Sequence, residues 1–278
     1  NNYCTYCIVP YVRGRERSIP VHLLIAEINR LKHKGYREVT LLGQNVNSYS
    51  NDDVDFALLL DRIAETGIEW IRFLTSHPVD LNERILEVMA RRKNVCRHLH
   101  LPLQSGSDRI LASMNRRYTT ADYLTLVEKA RHIVDGISLS TDFIFGFPGE
   151  TEEDYQKSLS VINTVEFDYA FLYRYSERNG TKACGLEGSV PEKIRLERLK
   201  EAIERQRAIS YKLNRKRIGE VHKVLVKEIS KDGEGLFGLA EKNIPVVING
   251  KTDGIKFGSF VDVRIESTTG SSLIGIVE

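Results

Sequence analysis

The chain contains five consecutive units in which a short apolar strand alternates with an amphipathic helix. Strands are predicted over 38–42, 70–74, 98–103, 138–145 and 169–173, and helices over 20–34, 56–66, 82–92, 120–134 and 152–165. Parallel strands that are neighbours in a sheet need a long crossover between them, and a helix is the usual one. This alternation therefore predicts an α/β fold built on a parallel sheet.

Polar side chains follow each of these strands, at residues 43–49, 75–78, 104–108, 146–151 and 175–178. In a parallel α/β barrel the carboxyl ends of the strands meet on one rim, and active sites are built there. Five polar strand ends in succession indicate one shared site rather than five unrelated turns. We therefore predict a partial parallel barrel whose rim carries the function.

Cys4 and Cys7 lie three residues apart, before the first unit, in a chain with four cysteines. A close thiolate pair can be half of a zinc site, a redox dithiol, or two ligands of an iron–sulfur cluster. Zinc would need further ligands, which Cys96 and the histidines after it could supply. A thioredoxin-like dithiol needs a helix to begin at the motif, and Pro10 with the turn at 13–15 argues against one. The cluster needs a third cysteine.

Composition limits the class of protein. The chain has 278 residues, of which 41% are hydrophobic and 28% charged, enough for one large domain and a small one. No apolar run approaches the roughly 20 residues that span a bilayer, so we predict no membrane association. Cysteines without a second close pair favour a reducing compartment, and we predict a cytoplasmic monomer.

The positive charge is concentrated between residues 192 and 217, where ten Lys or Arg face four Glu, a net charge of +6. The whole chain carries only +2, so the remainder carries about −4. A basic helix can be a solvated face or a surface that meets phosphates. Candidate phosphate contacts at its end are Arg215, Lys216 and Arg217.

After residue 217 the pattern changes to short strands alone, predicted over 221–229, 235–239, 244–248, 260–265 and 272–277. Five short strands separated by Gly, Asp, Asn and Ser turns predict a small all-β barrel of the oligonucleotide-binding type. We divide the chain into residues 1–211, the partial barrel, and residues 212–278, the small barrel.

Several of these segments together resemble one enzyme family. Residues 4–16, 41–49, 72–78, 100–108 and 141–151, the last reading TDFIFGFPGET, are similar to the radical S-adenosylmethionine methylthiotransferases and follow that family's order. The small barrel resembles the TRAM domain of tRNA-modifying enzymes, especially at 258–265, although 238–243 lacks the family's more basic segment. The rim segment 175–181 also departs from the family, because its two usual prolines are missing.

The resemblance implies a 4Fe-4S cluster in a Cys-x-x-x-Cys-x-x-Cys loop, with S-adenosylmethionine on its open iron and a 5′-deoxyadenosyl radical as the product of their reaction. Cys4 and Cys7 would be the second and third ligands, and the first would directly precede Asn1. The family also carries an upstream domain with a second 4Fe-4S cluster. We therefore expect residues 1–278 to be part of a longer chain and to be inactive alone.

The segment LGQNVNSY at 42–49 is most similar to the tRNA branch of the family. That branch adds a methylthio group to carbon 2 of N-6-isopentenyladenosine next to the anticodon, and the implied partners are tRNA and an electron donor such as flavodoxin or ferredoxin. Sister branches act on threonylcarbamoyl-adenosine in tRNA or on a ribosomal-protein aspartate. A zinc-stabilised RNA-binding module remains a further alternative.

The resemblance also implies roles for individual side chains. Tyr6 would lie near the adenine of S-adenosylmethionine. Other residues at the strand ends would contact its methionine or ribose groups, each with the alternative role of a cap or turn residue: Gln44, Asn45, Ser76, Gln104, Arg116 and Asp142. For Gln44 and Asn45 contact with the substrate is a further alternative. Contacts to RNA are assigned to the arginines at 13, 15 and 178. Cys96, Cys184 and His77 are expected to be structural.

Overall fold

The computed structural model describes residues 4–14, 16–231, 233–252 and 254–278. The helices are α1 Val9–Arg13, α2 Val21–His33, α3 Phe56–Glu65, α4 Glu83–Arg91, α5 Asp108–Ser113, α6 Thr120–Ile133, α7 Glu152–Val165 and α8 Glu192–Arg215. The strands are β1 Glu38–Leu41, β2 Ser50–Asn51, β3 Val54–Asp55, β4 Trp70–Phe73, β5 His98–His100, β6 Ser138–Phe145, β7 Tyr169–Arg174, β8 Val221–Ile229, β9 Leu236–Ala240, β10 Pro245–Asn249, β11 Phe260–Thr268 and β12 Leu273–Val277.

Five parallel strands form the open barrel that the alternation predicts. β1 pairs with β4, with Glu38 opposite Trp70, and β6 pairs with both β5 and β7. Backbone hydrogen bonds connect the pair β1–β4 to the segment that leads into β5. The Ile71 N–H donates to the Asn94 carbonyl (2.8 Å), and the Cys96 N–H donates to the Ile71 carbonyl (2.9 Å). Among the described strands, β1 and β7 do not pair with each other, so the barrel is open on that side.

Helices α2–α4, α6 and α7 cover the outer face of these strands, and their ends are set by local sequence. Four helices begin at a side chain that accepts a backbone N–H, and two of these starts are full capping boxes. The capping residues are Asp55, Asn82, Thr119 and Thr151. Phe56 of α3, Phe73 of β4 and Tyr123 of α6 are fully buried, and burial of such a ring stabilises a fold by roughly 1.5–3 kcal/mol.

Two local expectations need correction. The short helix α1 does form over Val9–Arg13, because Pro10 occupies its first turn, where no N–H is needed. The strand predicted over 98–103 ends at His100, although Gln104 still donates its N–H to the Asp142 carbonyl (2.8 Å). The small β2–β3 hairpin and helix α5 were not predicted from the sequence. Within the described residues, no helix has the length and apolarity needed to cross a bilayer.

The second unit is a closed five-stranded barrel, as the sequence predicts, and its strands are paired in the order β10-β12-β11-β8-β9. Gly275 is required by close packing, since a Cβ there would overlap the Arg264 carbonyl of the neighbouring strand. Helix α8 runs along β7 into this unit, and Asn214 donates to the Gly270 carbonyl (2.9 Å). The predicted division between residues 211 and 212 falls inside α8 and stays a prediction.

The small barrel packs on the amino ends of the parallel strands. The Trp70 and Phe260 rings meet at 4.5 Å, and Asn243 donates to the Tyr169 hydroxyl (2.7 Å). Arg72 donates to the carbonyls of Ala240 (2.9 Å) and Glu241 (2.7 Å) in the β9–β10 turn. The opposite, carboxyl end of the sheet, where the polar segments lie, is therefore left clear of the small barrel.

Candidate cofactor site

The cysteine segment is held over the carboxyl rim by backbone contacts around Thr5. Thr5 donates its N–H to the Met114 carbonyl (3.1 Å) and its hydroxyl to the Ser113 carbonyl (2.9 Å), and it accepts from the Ala183 N–H (2.9 Å). The Cys7 N–H closes a turn onto the Cys4 carbonyl (3.1 Å). Two free, half-buried thiols are thereby presented from one tight turn.

Arg116 lies directly beside this turn. Its Nη1 is 3.6 Å from Cys4 Sγ, its Nη2 donates to the Pro102 carbonyl (3.1 Å), and its guanidinium lies 5.5 Å from the Tyr118 ring centre. The Arg116 side chain is buried, and its Nε has no hydrogen-bond partner within the described residues. A guanidinium fork with a spare donor suits a carboxylate ligand.

The Cys7 thiol and the Tyr6 phenol, both in the cysteine segment, are kept neutral by burial. Burial raises the pKa of the Cys7 thiol, so a bound metal ion would be needed to draw off its proton. Burial also raises the pKa of Tyr6, which packs with Phe147, Tyr175 and Ala183 at the rim. Tyr6 thus forms an apolar wall next to the cysteine turn.

Ser76 and its neighbours form a second part of the rim. The Ser76 side chain is buried, and its Oγ has no partner among the residues described. The next residue, His77, accepts from the Val79 N–H through Nδ1 and lies 5.8 Å from the Tyr118 ring. Burial, then the charges of Arg116 and Arg117, lower the pKa of His77 to about 3, so its imidazole is neutral.

Gln44 and Asn45 lie on the β1 side of the same rim. Asn45 donates to Asp80 Oδ2 (2.5 Å), while its Oδ1 is buried and unpartnered in the described part of the chain. Gln44 is exposed in a groove of about 1110 Å³. The Val46 N–H bonds to the Thr75 carbonyl (3.1 Å), which links this loop to the Ser76 loop.

Gln104 and Asp142 mark the β5–β6 side. Gln104 is buried, and Asp142 lies inside the barrel with its Oδ1 3.4 Å from His100 Nε2. Six non-glycine residues of the described chain have a positive φ, and three of them lie at this rim: Thr75 (63°), Gln104 (79°) and Asn115 (59°). Each of these three residues is, or directly precedes, a predicted cofactor contact, and such strain clusters at functional sites.

The predicted RNA contacts are dispersed. Arg178 is exposed in the loop that follows β7, and Arg215 lies over the Tyr211 ring (5.9 Å) at the far end of α8. Lys216 is exposed, whereas Arg217 is half-buried and forms an ion pair with Asp168. The side chain of Arg13 and the whole of Arg15 lie outside the described residues.

Two arginines of the basic helix face the rim rather than the solvent. Arg198 pairs with the buried Glu150 (2.7 Å), which also accepts from the Gly146 N–H (2.8 Å). Arg195 donates to the Tyr175 carbonyl (3.2 Å) and covers Gly146, whose φ is +72°. Sequence reasoning missed these contacts, although a spacing of three places both arginines on one helical face.

Zinc ligation by Cys96 is not supported by its surroundings. Its thiol packs with Trp70 and Leu225 between the two units, whereas the imidazoles of His98 and His100 share the Ser140 hydroxyl at 2.9 Å each. No cluster of three His, Cys, Asp or Glu side chains suited to a metal ion occurs in the described ranges.

The rim fits an iron–sulfur cluster with an amino-acid-bearing ligand. It presents two thiols from one turn, a buried guanidinium with a free donor, and buried, unpartnered oxygens on Ser76 and Asn45 within the structure as described. A buried polar group without a partner costs about 1–3 kcal/mol, so several of them together indicate a site prepared for a polar ligand.

Comparison with known families agrees with this geometry. The profile of the radical SAM superfamily matches residues 1–162, and that of the TRAM domain matches residues 215–277. A tRNA-2-methylthio-N(6)-dimethylallyladenosine synthase from Carboxydothermus hydrogenoformans is 48% identical over 270 residues, 95% of this chain and 61% of the relative. The enzyme of the same name from Bacteroides fragilis is also 48% identical, over 99% of this chain and 62% of the relative. The chain thus spans about three fifths of these relatives.

Solved structures share the fold at low sequence identity. Coproporphyrinogen III oxidase from Escherichia coli superposes with a TM-score of 0.55 at 14% identity, covering 99% of this chain and 69% of that one. A radical S-adenosylmethionine methyltransferase from Kitasatospora setae gives a TM-score of 0.55 at 15% identity, covering 80% and 40% of the two chains.

Proposed function

Because the chain belongs to the radical SAM superfamily, we propose that it is the catalytic and RNA-binding part of a tRNA methylthiotransferase. The reaction would add a methylthio group to carbon 2 of N-6-isopentenyladenosine next to the anticodon. The observation that carries the proposal is the cysteine turn held 3.6 Å from the buried Arg116 on the rim of a parallel barrel. The names of the relatives at 48% identity support the substrate.

Cys4 and Cys7 would supply two ligands of a 4Fe-4S cluster. The chemistry of that cluster with S-adenosylmethionine is reductive cleavage of the sulfonium, which starts radical reactions. The chain's own residues bind and orient: the guanidinium of Arg116 would hold the methionine carboxylate, and the Ser76 hydroxyl would meet a polar group of the same ligand. Tyr6 would exclude water from the adenine side of the site, because its ring lies in the apolar cluster with Phe147 and Tyr175.

The small barrel and the basic face of α8 would hold the tRNA. Phosphates are bound by Lys and Arg without regard to sequence, and Arg215 with Lys216 lies where α8 enters the small barrel. We further propose that the full protein is a cytoplasmic monomer that carries a second 4Fe-4S cluster. It would take electrons from a flavodoxin or ferredoxin.

The test is anaerobic reconstitution of the full-length protein, followed by electron paramagnetic resonance of the reduced form. We expect a 4Fe-4S signal that changes when S-adenosylmethionine is added and is lost in Cys4→Ala and Cys7→Ala. The matched control is Cys184→Ala, since this thiol is free and exposed but lies outside the turn. Retention of zinc in place of iron would contradict the enzyme and favour an RNA-binding module.

The substrate is tested separately, by mass spectrometry of nucleosides after incubation with undermodified tRNA. We expect a methylthio group on isopentenyladenosine. A product on threonylcarbamoyl-adenosine, or on a ribosomal-protein aspartate, would keep the radical chemistry and replace the substrate.

A further inference from the structure

Strand β7 presents a row of aromatic side chains to the inside of the open barrel. Its alternate residues Ala170 and Leu172 face α8 and the outer core, so Tyr169, Phe171 and Tyr173 face inward. Tyr169 is engaged by hydrogen bonds to His98 and Asn243. Phe171 and Tyr173 instead remain 48% and 52% exposed, although they lie inside the barrel.

The surroundings of these two rings are polar. The Phe171 and His100 rings form a T-shaped pair, with 5.8 Å between centres at an interplanar angle of 76°. His100 Nε2 is in turn 3.4 Å from Asp142 Oδ1. A purely apolar ligand that covered the rings would also bury the Asp142 carboxylate, which costs free energy unless the carboxylate is paired. A ligand with both an apolar face and polar groups avoids this cost.

The rings also have a route to solvent and a connection to the cofactor site. Within the described residues β7 pairs only with β6, so Phe171 and Tyr173 border the open side of the barrel. The backbone carbonyl of Asp142 accepts the N–H of Gln104 (2.8 Å), a rim residue with a positive φ. A ligand seated on the rings would thus enter from the side and lie next to the rim.

We propose that Phe171 and Tyr173 form a stacking platform for the purine base that the enzyme modifies. This inference rests on the proposed function and names the residues that seat its substrate. A base has the flat apolar face that the rings need and a hydrogen-bonding edge that Asp142 and His100 can meet. An enzyme that acts on a base must take it out of its stack, and an aromatic platform provides a replacement for that stacking.

The test compares the binding of two RNAs without catalysis. Fluorescence anisotropy measures the affinity of the full-length, cluster-loaded protein with S-adenosylmethionine and no reductant. One probe is an anticodon stem-loop with isopentenyladenosine at the target position, and the other is the same stem-loop with an abasic site there. Base–aromatic stacking corresponds to about 5- to 150-fold in affinity, so we expect at least a fivefold preference for the intact base.

The variants separate the platform from general RNA binding. Phe171→Leu keeps an apolar side chain but removes the ring, and it should bring the preference close to one, as should Tyr173→Ala. Tyr173→Phe should keep the preference. The matched control is Phe257→Ala, because that phenylalanine is 59% exposed in the small barrel, and it should alter both affinities equally or not at all. The cluster signal in electron paramagnetic resonance checks that each variant is folded.

The outcomes distinguish the two proposals. A preference for the intact base that persists in both Phe171→Leu and Tyr173→Ala would overturn the platform and leave the proposed function standing. Failure of the unaltered protein to bind either stem-loop would overturn the proposed tRNA substrate and the platform with it.

Discussion

The two ends of the parallel sheet differ in how completely their polar groups are paired. At the amino end, the buried Arg72 uses all three of its nitrogens, on Glu38 (2.7 Å) and on the carbonyls of Ala240 and Glu241. At the carboxyl end, Ser76 Oγ and Arg116 Nε are equally buried but have no partner in the described structure. Both ends are polar. At the amino end Ser138 Oγ also lacks a partner among the described residues, but four such residues lie at the carboxyl end: Asn45, Ser76, Arg116 and Glu150.

The contrast distinguishes the end of the sheet that joins the two structural units, here called the joint, from the end that carries the ligand site. Native proteins pair nearly all of their buried polar groups, so unpaired ones need an explanation. The positive φ of Thr75 and Gln104 belongs to the carboxyl end, whereas at the amino end the positive φ of Asn243 falls on a residue type that tolerates it. Proteins keep local strain mainly where function requires it. The amino end, sealed by Trp70 and Phe260, is a structural joint, and the carboxyl end is prepared for a ligand.

Of the variants considered, removal of Arg72 should destabilise the joint between the parallel sheet and the small barrel most. Arg72→Met would leave the Glu38 carboxylate with Lys227 as its remaining partner and two carbonyls without donors. Breaking a buried pair in this way costs about 3–5 kcal/mol, and we expect a loss in that range. Urea denaturation followed by the fluorescence of Trp70, the chain's single tryptophan, reports directly on the joint.

Two further variants calibrate this loss. Arg84→Met removes an exposed pair with Asp55 and should cost less than about 1 kcal/mol. Arg72→Met with Glu38→Leu removes both buried charges and should recover part of the lost stability. Equal effects of Arg72→Met and Arg84→Met would contradict the view that the joint depends on the buried pair.

The sequence predicts the rim much better than the joint. The rim residues follow strands in a regular alternation, and a parallel sheet brings all such strand ends together whatever the loop lengths. The joint depends on contacts such as Arg72 with Ala240, which are 168 positions apart and belong to units of different fold. Neither periodicity nor spacing encodes such a contact. The sequence therefore predicts that Arg72 lies in a strand, but it does not predict the partners of its side chain.

The basic helix illustrates the same limit at the level of single residues. Its charge was predicted from composition, but the directions of its arginines depend on which face packs on β7. Arg195 and Arg198 turn inward and hold the rim, whereas Arg215 does not. The positive charge available to RNA is therefore smaller than the sequence count suggests.

Glu150 at the rim combines the two situations, because only one of its two carboxylate oxygens has hydrogen-bond partners. Its Oε1 is bonded to Arg198 and Gly146, but its Oε2 is buried without a partner in the part of the chain described. Burial raises the pKa of Glu150 to about 7. The folded state therefore holds this proton more tightly than the unfolded state, so stability should fall as the pH rises from about 4.5 to about 7.

The measurement is urea denaturation between pH 5 and pH 8 for the unaltered chain and for Glu150→Gln. We expect this component of the pH dependence, on the order of 1–3 kcal/mol, to disappear in the variant. Glu153→Gln, an exposed change on α7, should leave it in place. Identical pH profiles for the unaltered chain and Glu150→Gln would show that the carboxylate is not the source.

Ser76→Ala is the variant with the smallest expected effect. It should change protein stability and ligand binding in different ways. Loss of an unpartnered buried hydroxyl should leave the apo stability unchanged or raise it by up to about 1 kcal/mol. If that hydroxyl is held ready for S-adenosylmethionine, its loss should weaken binding of that ligand by about 5- to 10-fold. Equilibrium dialysis with the cluster-loaded protein and thermal unfolding of the apo protein measure the two effects.

The matched control is Ser107→Ala, because the Ser107 hydroxyl is also buried but donates to Asp154 (2.6 Å). That variant should lose about 1–3 kcal/mol of stability and bind S-adenosylmethionine normally. The two serines would then give opposite patterns, one costing stability and the other affinity, although both are buried at strand ends of the same barrel. A loss of stability in Ser76→Ala without a loss of affinity would mean that its unpaired oxygen is a packing defect and not a ligand contact.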